Sequence, residues 1–326
     1  MISKDQVVFK PPGLFIRLMN KDLTPYSNYS RKTTFWSTES MLAYLLLLPC
    51  MAILIAFMFY PIVYVFLMSM YKTNRIGMLV RFIGTGNFRA LFNTREFWEI
   101  TIRSVIWTVL AVSVKTLVGL AIALLLNVDF KGRKLARTLV ILPWASSVPV
   151  SAMLWQWTYN YDFGLLNYTL KITGLWKNPP HWLGYPLSAF FANLYVDIWI
   201  GIPFMALVFL AGLQSIPPNL YEAAQVDGTN LWQKFYYITL PLLKPVLLIA
   251  TLLSSLWTFN DFNVIYILTK GGPVNSTDIL ITFIYKYAFT FLKFGPASAM
   301  AVVTFAILLV LSLIYARFYF KIEREQ

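Results

Sequence analysis

Six stretches of the chain are nearly free of charge and long enough to cross a bilayer, which takes roughly 20 apolar residues for about 30 Å of hydrocarbon. They cover residues 41–70, 104–127, 138–159, 187–213, 246–269 and 297–320, and charged and turn-forming residues collect in short clusters between them. The pattern predicts an all-α, polytopic membrane protein with six transmembrane helices. Pro49 and Pro61 in the first stretch predict a tilt or kink there. Residues 1–40 are polar and basic, and nothing ahead of the first span reads as a cleavable signal peptide. The organisation expected is an N-terminal segment, 1–40, and one membrane domain, 41–326. Within the first, Phe9–Asn20 places Leu14, Phe15, Ile16, Leu18 and Met19 around Arg17. A helix lying in the membrane interface and a mobile basic tail are both open readings of it.

Composition narrows the class. Hydrophobic residues make up 58% of the 326 and charged residues 13%, against about half and a quarter in soluble domains; mean hydropathy is +0.63. The net charge of +13 would by itself suit nucleic acid. Lys and Arg, however, sit in clusters between apolar runs, as in membrane proteins, and no nucleic-acid partner is expected. Cys50 is the one cysteine and His181 the one histidine, which excludes an intrachain disulfide, a cysteine metal site and a His-rich centre. No catalytic or metal-binding group is expected. An even number of spans puts both termini on one side. That side carries fifteen Lys and Arg against eleven on the other, a small excess that favours termini in the cytoplasm.

The connection 214–245 is unusual. It reads QSIPPNLYEAAQVDGTNLWQKFYYITLPLLKP. Pro217-Pro218 closes the fourth span, Asn219 is a candidate helix cap and Leu220–Val226 has a helical pattern. Asp227-Gly228 signals a turn. A second helical stretch, Leu231–Tyr237, follows, with Pro241 and Pro245 at the entry to the fifth span. The result is a helix–turn–helix elbow exposing Tyr221, Trp232, Phe235 and Tyr236, aromatic anchors suited to a protein interface.

These residues carry a resemblance. Glu222-Ala223-Ala224, Gly228, Ile238 and Leu240-Pro241, at their spacing, are similar to the coupling-loop signature of ATP-binding-cassette import permeases, and Asp227 and Pro245 fit its sugar-importer version. Leu268-Thr269-x-Gly271-Gly272-Pro273 with Thr277, Ile141-Leu142-Pro143-Trp144, and Tyr285, Phe289, Phe294-Gly295 and Ala297–Met300 look like the same carbohydrate-uptake, maltose-type subgroup. The likeness covers roughly 85–320. It implies a permease domain in a bacterial inner membrane whose elbow is a cytoplasmic coupling helix seated in an ATPase. Glu222, Ala223, Ala224, Asp227 and Gly228 would be the coupling residues. The implied partners are a second, homologous permease, two ATP-binding-cassette ATPases, an extracytoplasmic solute-binding protein and a sugar. The chain has no G-x-x-x-x-G-K-[ST] loop, so ATP and magnesium would be bound by the ATPase and no cofactor by this chain.

Three charged residues fall inside spans away from their ends: Lys115, Asp197 and Asp261. Such residues usually face a cavity or a partner. Ser254, Thr258 and Asp261 follow i, i+4, i+7 and share a helical face flanked by Asn260 and Asn263. Hydroxyls, amides and carboxylates suit a hydroxyl-rich solute; Trp155, Gln156, Trp157, Asn193, Tyr195 and Trp199 offer further polar or aromatic surface. Resemblance to the maltose-type permease implies a substrate path at Trp144, Asp197, Ile200, Gly201, Ser254, Thr258, Asp261 and Asn263. The maltose-type member that the chain resembles has amides where Asp197 and Asp261 stand, so two readings remain for each: contact with substrate, or pairing with Lys115 or capping of a broken helix. Trp176, Trp182 and Tyr185 read as an interfacial belt, His181 as solvated, and Asp278–Phe294 as an amphipathic stretch along the outer surface. A polytopic membrane enzyme would need an acid/base or metal cluster, and a secondary transporter would leave the elbow without a role. The motifs fit importers of neutral sugars, and equally of glycerol-phosphate esters or acidic oligosaccharides.

Overall fold

The computed structural model describes residues 38–325; Phe9–Asn20 and its interfacial-helix reading lie outside them. The chain divides into two compact units at Pro61/Ile62. The described part of the first holds helix α1 (Thr38–Leu54) and a π-helical turn, Ile55–Phe59. In that turn the Tyr60 N–H donates to Ile55 O, five residues back. Pro61 explains the widening: it has no N–H and its ring crowds the carbonyl four residues earlier. Pro49, by contrast, sits inside α1.

The second unit takes up the chain from Ile62. Helix α2 (Tyr60–Ser69) leads to a hairpin of β1 (Tyr71–Thr73) and β2 (Leu79–Phe82), with Tyr71 opposite Phe82. Helices α3 (Gly86–Phe92), α4 (Arg95–Asn127), α5 (Arg133–Ala145), α6 (Val148–Thr158), α7 (Leu165–Ile172) and α8 (Pro186–Gln214) follow. Beyond them come α9 (Pro218–Val226), α10 (Leu231–Lys234), α11 (Leu240–Phe259), α12 (Phe262–Leu268), α13 (Leu280–Tyr285) and α14 (Phe294–Glu325). Among the described residues five helical stretches, Met41–Ser69, Arg95–Asn127, Pro186–Gln214, Leu231–Leu268 and Phe294–Ile322, are long and apolar enough to cross a membrane.

The third predicted span is different. Helices α5 and α6 pass the same test only as a pair, and they meet at 92°. Ser146 and Ser147 between them are extended. Pro149 follows at the start of α6, where it cannot donate back to the previous helix, so the chain restarts rather than continues. The fifth span also departs from expectation. It begins at Leu231, well before Pro241, and a π-helical turn at Phe235–Thr239 carries α10 into α11. The same device as at Pro61 accommodates Pro241.

Helices α4 and α8 form the most extensive pair. They come together at Gly119, where an added Cβ would lie 2.6 Å from Met205 Cβ and 3.2 Å from the Ala206 nitrogen. Small residues that let backbones approach are the usual means of membrane-helix packing. Ala123, Leu126, Met205, Phe209, Leu213 and Leu243 extend this contact into a core shared by α4, α8 and α11.

Segment Asp278–Phe294 is packed in its first part and exposed from Phe289 to Lys293. Ile279, Leu280, Thr282 and Phe283 are buried. Asp278 is fully buried, with Lys286 Nζ 2.5 Å from its Oδ2 and Thr282 Oγ1 donating to its Oδ1 at 2.9 Å. Arg103 on α4 donates to the Asn275 and Asp278 carbonyls, and Leu280 N–H donates to Ser104 Oγ. Burial pushes the Asp278 carboxyl up, against the opposing pull of Lys286, Thr282 and Arg103.

Candidate functional site

A cavity of about 610 Å³ opens among α4, the α5–α6 bend, α8 and the fifth span. All eight residues assigned to a substrate path line it: Trp144, Asp197, Ile200, Gly201, Ser254, Thr258, Asp261 and Asn263. Lys115, Val148, Phe204, Leu256, Trp257 and Asn260 complete the wall. Trp257 and Phe204 meet edge to face with centroids 4.8 Å apart. Their position on the cavity wall has no sequence signal, because an aromatic in an apolar span reads as core. Residues Trp155, Gln156, Asn193, Tyr195 and Trp199 are directed elsewhere. Gln156 Nε2 donates to Ile267 O, Asn193 Nδ2 to Ala189 O, and Trp155 and Tyr195 line a separate aromatic pocket with Tyr159 and Trp182. Trp157 lines a third pocket with Tyr161 and His181. His181 is exposed yet stacked on Tyr161 at 5.0 Å.

The fifth span breaks at this cavity. Helix α11 ends at Phe259 and α12 starts at Phe262, so the single helical face drawn through Ser254, Thr258 and Asp261 is interrupted before Asp261. The freed backbone groups are satisfied locally, as hydrocarbon requires. Asp261 caps α12, accepting from Val264 N–H at 3.2 Å; Trp107 Nε1 donates to Thr258 O at 3.2 Å. Lys115 Nζ lies 2.7 Å from Asp197 Oδ2 and donates to Thr258 Oγ1 at 2.8 Å. Both side chains of the ion pair are more than nine-tenths buried. Asp197, not Asp261, is therefore the counter-ion of Lys115, while the Asp261 carboxyl stands half-buried beside Asp197 and interacts with it. The cavity thus combines two carboxyls, one engaged ammonium, hydroxyls, amides and two exposed indoles, a donor and acceptor set matched to hydroxyl groups and ring faces.

The elbow is built from three local devices. Helix α9 starts at Pro218, with Pro217 rather than Asn219 at the cap position. It ends in a left-handed turn: Gly228 has φ of 73°, its N–H donates to Gln225 O, and Thr229 N–H donates to Ala224 O. Those two bonds are the Schellman pattern, which favours glycine at this position. Asn230 then caps α10 reciprocally with Gln233, at 2.9 and 2.8 Å. Tyr221 OH is hydrogen-bonded to Thr239 Oγ1 at 2.9 Å, and Tyr221 and Ile238 pack against the α4–α8–α11 core. The second leg is no separate helix; it is the first part of the fifth span. Glu222, Ala223, Asp227 and Gly228 are exposed and Ala224 is buried. Trp232 and Tyr236 are exposed, whereas Tyr221 and Phe235 are half-buried.

Comparison with known proteins agrees with this arrangement. Residues 115–324, which hold both the cavity and the elbow, match the family model described as binding-protein-dependent transport system inner membrane component. A probable ABC transporter permease of Brucella suis is 42% identical over 284 residues, covering 87% of this chain and 98% of that protein. The trehalose/maltose transport system permease of Thermococcus litoralis is 39% identical, covering 86% of this chain and 94% of its own. A crystallised bacterial ABC transporter that imports the acidic polysaccharide alginate matches with a TM-score of 0.77 at 26% identity, over 87% of this chain and 96% of that one. The chain belongs to the family of inner-membrane permease components of binding-protein-dependent ABC transport systems.

Proposed function

We propose that this chain forms one half of the translocation path of a sugar or oligosaccharide importer and transmits the work of a separate ATPase to that path. The observation that carries the reading is the cavity at the broken fifth span, where aromatic faces, hydroxyls and amides converge and whose wall is continuous with the elbow. The permease has no catalytic role in ATP hydrolysis. Two ATP-binding-cassette subunits bind ATP and magnesium, and α9, with Glu222 at its exposed face, docks in one of them. Both termini and the elbow face the cytoplasm. A second, homologous permease supplies the other half of the path, and an extracytoplasmic binding protein delivers the sugar. The likeness to the trehalose/maltose permease supports a sugar; the likeness to the alginate importer supports an acidic oligosaccharide as the second reading.

The test is uptake. Cells lacking this gene are compared with complemented cells over a panel of radiolabelled neutral, amino and acidic mono- and oligosaccharides. Loss of ATP-dependent uptake of one sugar class, restored by the gene, is the expected result. Unchanged uptake across the panel, with uptake of an unrelated solute lost, would overturn the reading.

A further inference from the structure

The sugar-path reading just given leaves the charge of the solute open, and the following inference rests on that reading. The cavity wall holds three ionisable side chains, Lys115, Asp197 and Asp261. The single ammonium is committed: it is paired with Asp197 and hydrogen-bonded to Thr258 Oγ1, with its side chain 4% exposed. Among the described residues of this chain, no other Lys, Arg or His lines the cavity. Asp261 is the second carboxyl, on the same cavity wall and with more accessible surface than Asp197.

Two carboxyls therefore face one cation. The excess is neutral when Asp261 carries a proton and negative when it does not. In neither state does this chain's half of the path offer a free cation among the described residues. An entering carboxylate, sulfate or phosphate would shed water without gaining a counter-charge, and would stand next to existing acidic groups. A hydroxyl meets no such obstacle, because it both donates and accepts. An ammonium gains Asp261 as a partner. We propose that Asp261, backed by the Lys115–Asp197 pair, is a charge filter that passes neutral and ammonium-bearing sugars and rejects anionic ones.

The test uses the intact complex, permeases with their ATPases, in nanodiscs without nucleotide. The binding protein is omitted so that its own selectivity does not enter. The probes are a matched set built on the neutral sugar that the uptake panel identifies: that sugar, its 6-amino-6-deoxy form and its 6-carboxylate. Saturation-transfer NMR reads binding in the millimolar range. The neutral and amino forms are expected within about threefold of each other. The carboxylate is expected at least about tenfold weaker, the scale of one unfavourable charge contact in a partly wet site. In Asp261→Asn, which keeps an acceptor for the α12 cap, the gap between neutral and carboxylate forms narrows to below about threefold, whatever the absolute affinities. Should that variant not assemble, the wild-type comparison decides alone. Equal or tighter binding of the carboxylate overturns the filter, as does a panel whose substrate is itself anionic; in both cases the sugar-path reading survives. A panel with no sugar transported overturns the path reading and the filter with it.

Discussion

A β-carbon placed on Gly201 of α8 would lie 2.5 Å from Cε of Lys115 on α4 and 3.0 Å from its Nζ. The missing side chain of Gly201 is the space through which Lys115 reaches Asp197. Gly201→Val removes that space. Overpacking of this kind typically costs about 1–3 kcal/mol, and here it also displaces the ammonium from its counter-ion. The melting temperature of the detergent-purified complex is expected to fall by several degrees, with a smaller drop for Gly201→Ala. Valine at wild-type stability would show that Lys115 has another route.

The partner of Lys115 is open to a direct test. Lys115→Met leaves Asp197 buried and uncompensated, a loss of about 3–5 kcal/mol for such pairs. Adding Asp197→Asn is expected to restore most of the lost expression and thermal stability. Adding Asp261→Asn instead is not, because Asp261 is held by the α12 cap rather than by Lys115. Rescue by Asp261→Asn alone would reassign the pair.

The elbow separates docking from folding. Glu222 is exposed and Gly228 has nothing within 4 Å of its β position, so neither change disturbs packing. Glu222→Ala is expected to lower transport at least about fivefold while the permease still inserts. Gly228→Ala carries a backbone cost of about 1 kcal/mol at positive φ and is expected to weaken coupling mildly. Gly228→Pro fits neither the φ of 73° nor the N–H bond to Gln225, and transport is expected to be lost. The assay is uptake alongside membrane-level quantification of the chain; full transport in all three would remove the elbow from the coupling path.

Asp278 predicts a pH dependence. Burial raises its carboxyl, so the folded chain holds that proton more tightly than the unfolded chain does. Stability from this group is then greatest at low pH and declines as pH rises from the ordinary carboxylate value toward the raised one. Lys286→Met removes the strongest opposing interaction and extends the decline upward. The melting-temperature deficit of the variant relative to wild type is expected to be larger at about pH 8 than at about pH 5. Parallel curves would mean that Lys286 does not hold Asp278 in solution.

Much of this architecture is legible in the chain because hydrocarbon imposes a coarse rule on composition. Apolar runs mark the spans, and Pro217-Pro218 and Asp227-Gly228 mark the elbow, since each has a local backbone reason. The eight positions that the family resemblance assigned to a path line one cavity. The rest depended on contacts between distant residues. Nothing local pairs Lys115 with Asp197 rather than Asp261, or ties Arg103 to the Asn275–Asp278 turn. The break at Asn260–Asp261 has neither glycine nor proline to announce it; it is stabilised by Trp107 and the Asp261 cap. The bend between α5 and α6 was hidden for the opposite reason: Pro143 and Pro149 lie in a run apolar enough to pass as one helix.

The continuity of α10 with α11 makes the fifth span a rod. From Leu231 to Phe259 it extends roughly 40 Å, with its foot at the exposed Trp232 and its head at Thr258. Lys115 and Asp197 belong to other helices. A tilt of the rod about the Tyr221–Thr239 hydrogen bond near its foot would move the head further than the foot and shift Thr258 relative to Lys115. The 2.8 Å hydrogen bond from Lys115 and the 3.2 Å bond from Trp107 to the Thr258 carbonyl would then be the polar contacts that register movement of the far end.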